Sequence, residues 1–257
     1  MITLTSDFGL KDPYVAEMKG VILTINPNAT IIDITHDVEK FDIRMGAFML
    51  ASVAPYFPKG TVHLAVVDPG VGTERCAILV QTKQGFLVGP DNGILMLAAK
   101  NQGIEHTYEL SNPAFMLPKR SATFHGRDIF APAAAYLDIG AKPTEFGPEI
   151  DEAVMPEFTR VKREAGSLVG VILHIDGFGN IITNISQKDM IQVKAVNIKL
   201  HNISSNVALG KTYAQAKPRE DIALIGSHGF LEMALNQASA AEKFHVVVGE
   251  KIEVTPT

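Results

Sequence analysis

The sequence predicts an α/β fold: an N-terminal α/β domain with a mainly parallel sheet, then a smaller, mostly-β domain. Three observations predict it. Strand-like apolar runs alternate with helical stretches through the first third of the chain. Polar residues gather where those strands end. Beyond residue 168 the helical pattern gives way to short strand-like runs separated by Gly and Asn. The length of 257 residues suits one large domain or two small ones.

The elements follow in order. Residues 1–5 are a short apolar run that stops at Ser-Asp-Phe-Gly, as a buried strand would. Pro13 opens a helical stretch to Ile25, because a missing N–H costs nothing in a first helical turn. Asn26-Pro27-Asn28 ends it. Residues 30–34 are a second strand. Asp42 caps a helix over 43–53, and residues 61–67 are a third strand ending at Asp68-Pro69-Gly70. In such sheets ligands bind beyond the carboxyl ends of the strands, which is where Ser6-Asp7 and Asp68 fall. Strands over 77–81 and 85–88, a helix over 94–100 and another over 129–137 complete the first domain, residues 1–155. Residues 156–167 are polar and aperiodic and read as a linker. In the second domain, 168–257, strand-like runs cover 169–175, 181–185, 196–200, 223–225, 244–248 and 251–254. Residues 230–241 read as its one clear helix.

Composition excludes several classes. Hydrophobic residues make up 46% and charged residues 20%, as in globular proteins. Lys and Arg number 23 against 28 Asp and Glu, a net charge of −5, so no basic excess points to nucleic acid. The longest apolar runs are too short to span a bilayer. The N-terminus lacks the basic and apolar regions of a secretory signal. The single cysteine, Cys76, allows no internal disulfide and no cysteine-built zinc site. A cytoplasmic protein is expected.

Five places carry candidate chemistry. Asp7 has two acceptor oxygens for the hydroxyls of a ribose. It could equally bind a metal or close an Asx-turn. Asp68 and Arg75 flank DPGVGTER, which lacks the GK[ST] ending of a P-loop and is followed by a strand. A structural ion pair closing a hairpin is the plain alternative. His125, in FHGRD, suits a catalytic or water-holding role, and His36 competes with it. Asp176, Phe178 and Asn180 sit in a Gly-rich loop that offers a carboxylate, a flat ring and an amide, or simply a hairpin turn. Ser227 and His228 precede the expected 230–241 helix, where free N–H groups suit a carboxylate, unless Ser227 is only a cap. No H-E-x-x-H or dense His/Asp spacing appears, so no metal site is expected.

Six ordered motifs together are more specific than any one. TSDFGLKDPYVAEMKG, VVDPGVGTER, GPDNG, FHGRDIFAPAAA, IDGFGNIITNI and GSHGFLEMALNQASAA span nearly the whole chain. The chain resembles the S-adenosyl-L-methionine (SAM) hydrolases, or SAM hydroxide adenosyltransferases, relatives of the fluorinase and chlorinase. The resemblance implies a C-terminal β-barrel, and homotrimers whose active sites lie between subunits. It implies that Asp7 binds the ribose, with Phe8 beside the substrate. Asp176 would hold the methionine ammonium, Ser227 and His228 its carboxylate, and Phe178 and Asn180 the adenine. Asp68, Arg75 and His125 match the triad that places water. SAM would be the substrate, and no cofactor is implied. The fluorinase has Ser where this chain has Gly126 and Arg where it has His228, and the halogenating relatives differ over 68–75. The triad therefore favours water over halide. A 5′-chloroadenosine-forming halogenase, a non-catalytic SAM or adenosine sensor and a metal-dependent phosphohydrolase using Asp7, Asp68 and His125 remain the alternatives.

Overall fold

The computed structural model describes residues 1–190, 193 and 195–257. They form two compact units, Met1–Pro156 and Glu157–Thr257.

The first unit is built on β1 (Ile2–Ser6), α1 (Tyr14–Ile25), β2 (Ile31–Thr35), α2 (Ile43–Val53), β3 (Val62–Val66), β4 (Ala77–Thr82), β5 (Phe86–Pro90), α3 (Met96–Gln102), β6 (Ile104–Glu109) and α4 (Ala131–Asp138). The sheet order is β2-β1-β3-β5-β4-β6. β1 runs parallel to β2 and β3, and β3 to β5. β4 is antiparallel to both β5 and β6. The sheet is therefore mixed, which corrects the expected mainly parallel one. β4 and β5 are joined by a tight turn, and a tight turn can only return antiparallel.

β1 and β3 are buried along their whole length. Both faces are covered by helices, as strands with near-continuous apolar sequence require. α1 packs with α4 and α2 with α3. Val15, Met18 and Ile22 recur at helical spacing on the buried side of α1. Pro13 is its N-cap, and the Asp42 carboxylate caps α2 by accepting from Met45 N–H at 2.9 Å.

The second unit holds β7 (Lys162–Glu164), β8 (Ser167–Ile175), β9 (Ile181–Ser186), β10 (Ala195–Leu200), β11 (Ile203–Gly210), β12 (Asp221–Ile225), β13 (Phe230–Leu235), α5 (Ala240–Phe244) and β14 (Lys251–Pro256). β14 pairs with both β10 and β8, which closes the sheet into a barrel and leaves β7 outside the closure. Ile172, Ile185, Val196, Leu231 and Phe244 belong to its core.

Two expectations fail here. Residues 230–241 are no helix: β13 occupies 230–235 and pairs with β12 and β9. Its FLEMAL sequence favours helix by propensity, but all six residues are buried, so no alternation betrayed a strand. Residues 244–248 are no strand: α5 ends at Phe244 and His245 turns left-handed. The expected linker carries a helical turn, Glu157–Thr159, and β7. β6 and β11 are strands that the pattern did not reveal. Among the described residues no helix is long and apolar enough to cross a membrane.

Candidate active site

The parallel register places the first two carboxylates. Ser6 pairs with Val66, so Asp7 follows β1 and Asp68 follows β3 on the same edge of the sheet, one strand apart. Both line a cavity of about 580 Å³, together with Phe8, Tyr14, Lys40, Phe41 and His125.

Asp7 is buried, and its Oδ2 accepts the N–H of Phe41 at 3.0 Å. Phe41 holds that donor in a left-handed conformation, φ 67°. Lys40 Nζ donates to the Asp7 carbonyl. The loop after β2 is thus fastened to the loop after β1.

Arg75 organises the other side. Its Nε donates to Asp68 Oδ1 and Oδ2 at 3.0 and 3.1 Å, and its Nη2 donates both to Oδ2 and, at 2.8 Å, to His125 Nδ1. Its guanidinium carbon lies 5.3 Å from the centre of the Phe130 ring. Arg75 does not line the cavity, whereas Asp68 and His125 do. It stands behind them and fixes both. Gly72, at φ +77°, lets this loop press against residue 122, because a Cβ there would overlap the Ala122 carbonyl oxygen. His125 precedes a π-helical turn, Gly126–Phe130, where an α-helix beginning at 129 was expected. Such turns are rare and recur at functional sites. Asp128 in this turn is fully buried and accepts the Ser121 N–H at 2.6 Å, which pins the loop leading to His125.

Arg75 can only donate, so His125 Nδ1 accepts and the ring proton sits on Nε2. Burial, with the Arg75 charge beside it, holds the His125 pKa below its usual range. The imidazole is neutral at pH 7 and can donate through Nε2.

The second unit carries its own cavity, of about 680 Å³, lined by Asp176, Phe178, Asn180, Tyr213 and residues 235–239. Asp176 Oδ1 accepts the N–H groups of Phe178 and Asn180, both at 2.9 Å, and Oδ2 accepts Asn180 Nδ2 at 2.9 Å. The carboxylate therefore shapes its own loop. Phe178, on that loop, is 81% exposed. Ser227 and His228 lie exposed in the β12–β13 turn, not at a helix N-terminus, and do not line this cavity. The helix-terminus argument for a carboxylate at these residues falls with the helix.

Sequence reasoning missed Lys40 and Phe41, which nothing but the sheet order brings to Asp7. It also missed Tyr213, whose phenol donates to the buried Glu232 at 2.5 Å. Burial pushes the pKa of both groups up.

Residues 2–147 match the model of the SAM hydroxide adenosyltransferase N-terminal domain, and residues 170–253 that of the C-terminal domain. The chain belongs to the SAM hydroxide adenosyltransferase family. An (R)-S-adenosyl-L-methionine hydrolase of Salinispora arenicola (strain CNS-205) is 37% identical, over 99% of this chain and 97% of its own. A fluorinase of Actinoplanes sp. (strain N902-109) is less similar, at 28% identity over 99% of this chain and 97% of its own. A crystal structure of an uncharacterized conserved protein from Thermotoga maritima superposes with a TM-score of 0.86 at 37% identity, covering 99% of this chain and all of that one. Among the residues that the SAM hydroxide adenosyltransferase resemblance singles out, Asp7, Phe8, Asp68 and His125 share one cavity, with Arg75 behind it. Asp176, Phe178 and Asn180 share the other. Among the described residues no group of three or more His, Cys, Asp or Glu side chains could hold a metal ion.

Proposed function

We propose that this protein hydrolyses S-adenosyl-L-methionine to adenosine and L-methionine. The observation that carries the reading is the Arg75 fork, which sets Asp68 and His125 on the cavity that Asp7 also lines. Asp7 accepts the ribose hydroxyls. Water sits between Asp68 and His125 and attacks C5′ in line with sulfur. The new bond joins the water oxygen to C5′. The C5′–S pair returns to sulfur, which leaves as a neutral thioether and needs no general acid. His125 holds the water through Nε2–H and is not the base while Arg75 occupies Nδ1. The proton passes to Asp68 Oδ1 as the C–O bond forms and the water grows acidic. Positioning a weak nucleophile this way contributes up to roughly 7–11 kcal/mol.

Asp176 and the 227–228 turn take the amino-acid end of the substrate, and Phe178 and Asn180 the adenine. We take the working assembly as a homotrimer, whose neighbouring subunits complete each site. Light scattering tests this, and an active monomer would refute it. A cytoplasmic setting agrees with the single, unpaired Cys76.

The decisive experiment is incubation with SAM in ¹⁸O-water, followed by mass spectrometry. Both sulfonium epimers are assayed, since the Salinispora relative is named for the (R) form. Adenosine labelled at the 5′ oxygen, with free methionine, is the expected result. Intact SAM, or a 5′-chloro product that appears only with chloride, would overturn the reading.

A further inference from the structure

His36 does not line the cavity, yet it sits between the two loops that do. Its ring is buried, 4% exposed. Nδ1 lies 2.7 Å from Ser6 Oγ. Nε2 lies 3.2 Å from Asp33 Oδ1, at an ion-pair distance but without hydrogen-bond alignment. Asp33 Oδ2 accepts from Lys19 Nζ at 2.6 Å. At the other end, Ser6 Oγ accepts the Phe8 N–H at 3.3 Å.

The protons can be followed along this chain. Burial raises the Asp33 pKa, but the Lys19 hydrogen bond and the neighbouring His36 ring outweigh it and hold the carboxyl below its usual range. A carboxylate only accepts, so Nε2 carries the His36 proton. Nδ1 is then the acceptor and the Ser6 hydroxyl donates into it. The lone pairs of Ser6 Oγ remain for Phe8 N–H. These are the groups and the polarity of a serine-hydrolase triad. The serine, however, is 1% exposed and its oxygen already holds a backbone amide. It has no path to a substrate.

Main-chain bonds fasten the same two loops beside the ring. Gly9 N–H donates to the His36 carbonyl at 2.7 Å, and Val38 N–H to the Ser6 carbonyl at 3.4 Å. Asp7, between Ser6 and Phe8, points into the cavity from this doubly fastened strand end.

We propose that Asp33, His36 and Ser6 form a positioning relay, running from the protein surface to the Asp7–Phe8 peptide, that sets how tightly the cavity holds the sugar of a nucleoside ligand. The proposal rests on the reading of Asp7 as the ribose-binding carboxylate. It assigns no proton transfer in the reaction to these residues, so their loss acts on binding and not on the bond-breaking step.

Asp33→Ala is the first test, because Asp33 is exposed and its removal takes nothing from the buried core. Ser6→Ala is the second, with Ser6→Thr restoring the hydroxyl. The KM for SAM and the Kd for adenosine are expected to rise about three- to tenfold in Asp33→Ala and Ser6→Ala, with kcat within about twofold and recovery in Ser6→Thr. Normal KM and Kd in both variants, while Asp7→Ala weakens binding, would remove the relay and leave the Asp7 reading standing. Unchanged binding in Asp7→Ala would remove that reading itself. A fall in kcat at constant KM would move these residues to the bond-breaking step, and labelling of Ser6 by a fluorophosphonate would make it a nucleophile; either result would overturn the proposal.

Discussion

Nη2 of Arg75 donates to Nδ1 of His125 across 2.8 Å, joining the loop after β3 to the turn before α4. One cation thereby fixes the tautomer of the imidazole and, through its remaining edge, the orientation of the Asp68 carboxylate. In the proposed reaction the division of labour follows: Arg75 arranges, while Asp68 and His125 meet the water.

Asp68→Asn removes the proposed proton acceptor and keeps the size of the side chain. Turnover should fall about 10²- to 10⁴-fold. SAM affinity by calorimetry should change little. A normal rate would take Asp68 out of the mechanism.

Arg75→Lys keeps the charge but loses the fork, since one ammonium cannot bridge Asp68 and reach His125 as well. We expect kcat to drop roughly 10- to 100-fold with KM nearly constant. A rise in KM alone would mean that Arg75 contacts substrate.

Asp7→Ala deletes the acceptor proposed for the ribose. Affinity for both SAM and adenosine should weaken about 10- to 100-fold, as the loss of charged hydrogen bonds predicts. Equal affinities in titrations of the variant and the parent would reject the ribose assignment.

Acid acts on two histidines by different routes. Protonating His125 Nδ1 breaks its bond to Arg75, so kcat/KM should be flat near neutrality and fall on the acid side, below the usual histidine range. His63 is buried between Thr3 Oγ1, at 2.8 Å, and the edge of Phe57, and burial lowers its pKa to about 4. The unfolded chain then binds a proton where the folded one does not. Its contribution is complete above about pH 6.5 and declines as pH falls toward 4, by on the order of 3 kcal/mol in all. Melting temperatures of His63→Asn should vary less with pH over that window. An equally steep loss in the variant would assign the acid lability elsewhere.

Gly72→Ala places a methyl group against the Ala122 carbonyl and strains a left-handed backbone. Stability should fall by about 1–3 kcal/mol. Turnover should fall too, because the Arg75 loop is pushed away from His125. Wild-type activity in a folded Gly72→Ala protein would show that the loop contact is dispensable.

Much of this was readable from residues alone, for definite reasons. β1, α1 and α2 declare themselves through apolar spacing, Pro13 and the Asp42 cap, all of them local signals. Asp7 and Asp68 were placed by the rule for strand ends, which needs only the strand boundaries. The antiparallel β4 was misjudged because its sequence is as apolar as that of a parallel strand. β13 was misjudged because a strand buried on both faces has no period to detect. Lys40 and Phe41 escaped notice because their meeting with Asp7 depends on β2 lying beside β1, a tertiary fact. The Ser6–His36 contact is hidden for the same reason, though His36 itself stood out.

Closing the barrel through β14 and β8 has an effect on solubility. The edge left open at that end of the sheet is β7, three residues long, and its sequence is Lys-Arg-Glu. All three are exposed, and a short, fully charged edge repels the strand of another molecule before backbone hydrogen bonds can form. Apolar, β-branched residues at 162–164 would turn the same edge into a template for chain-to-chain stacking. The three charges thus act as a guard against aggregation.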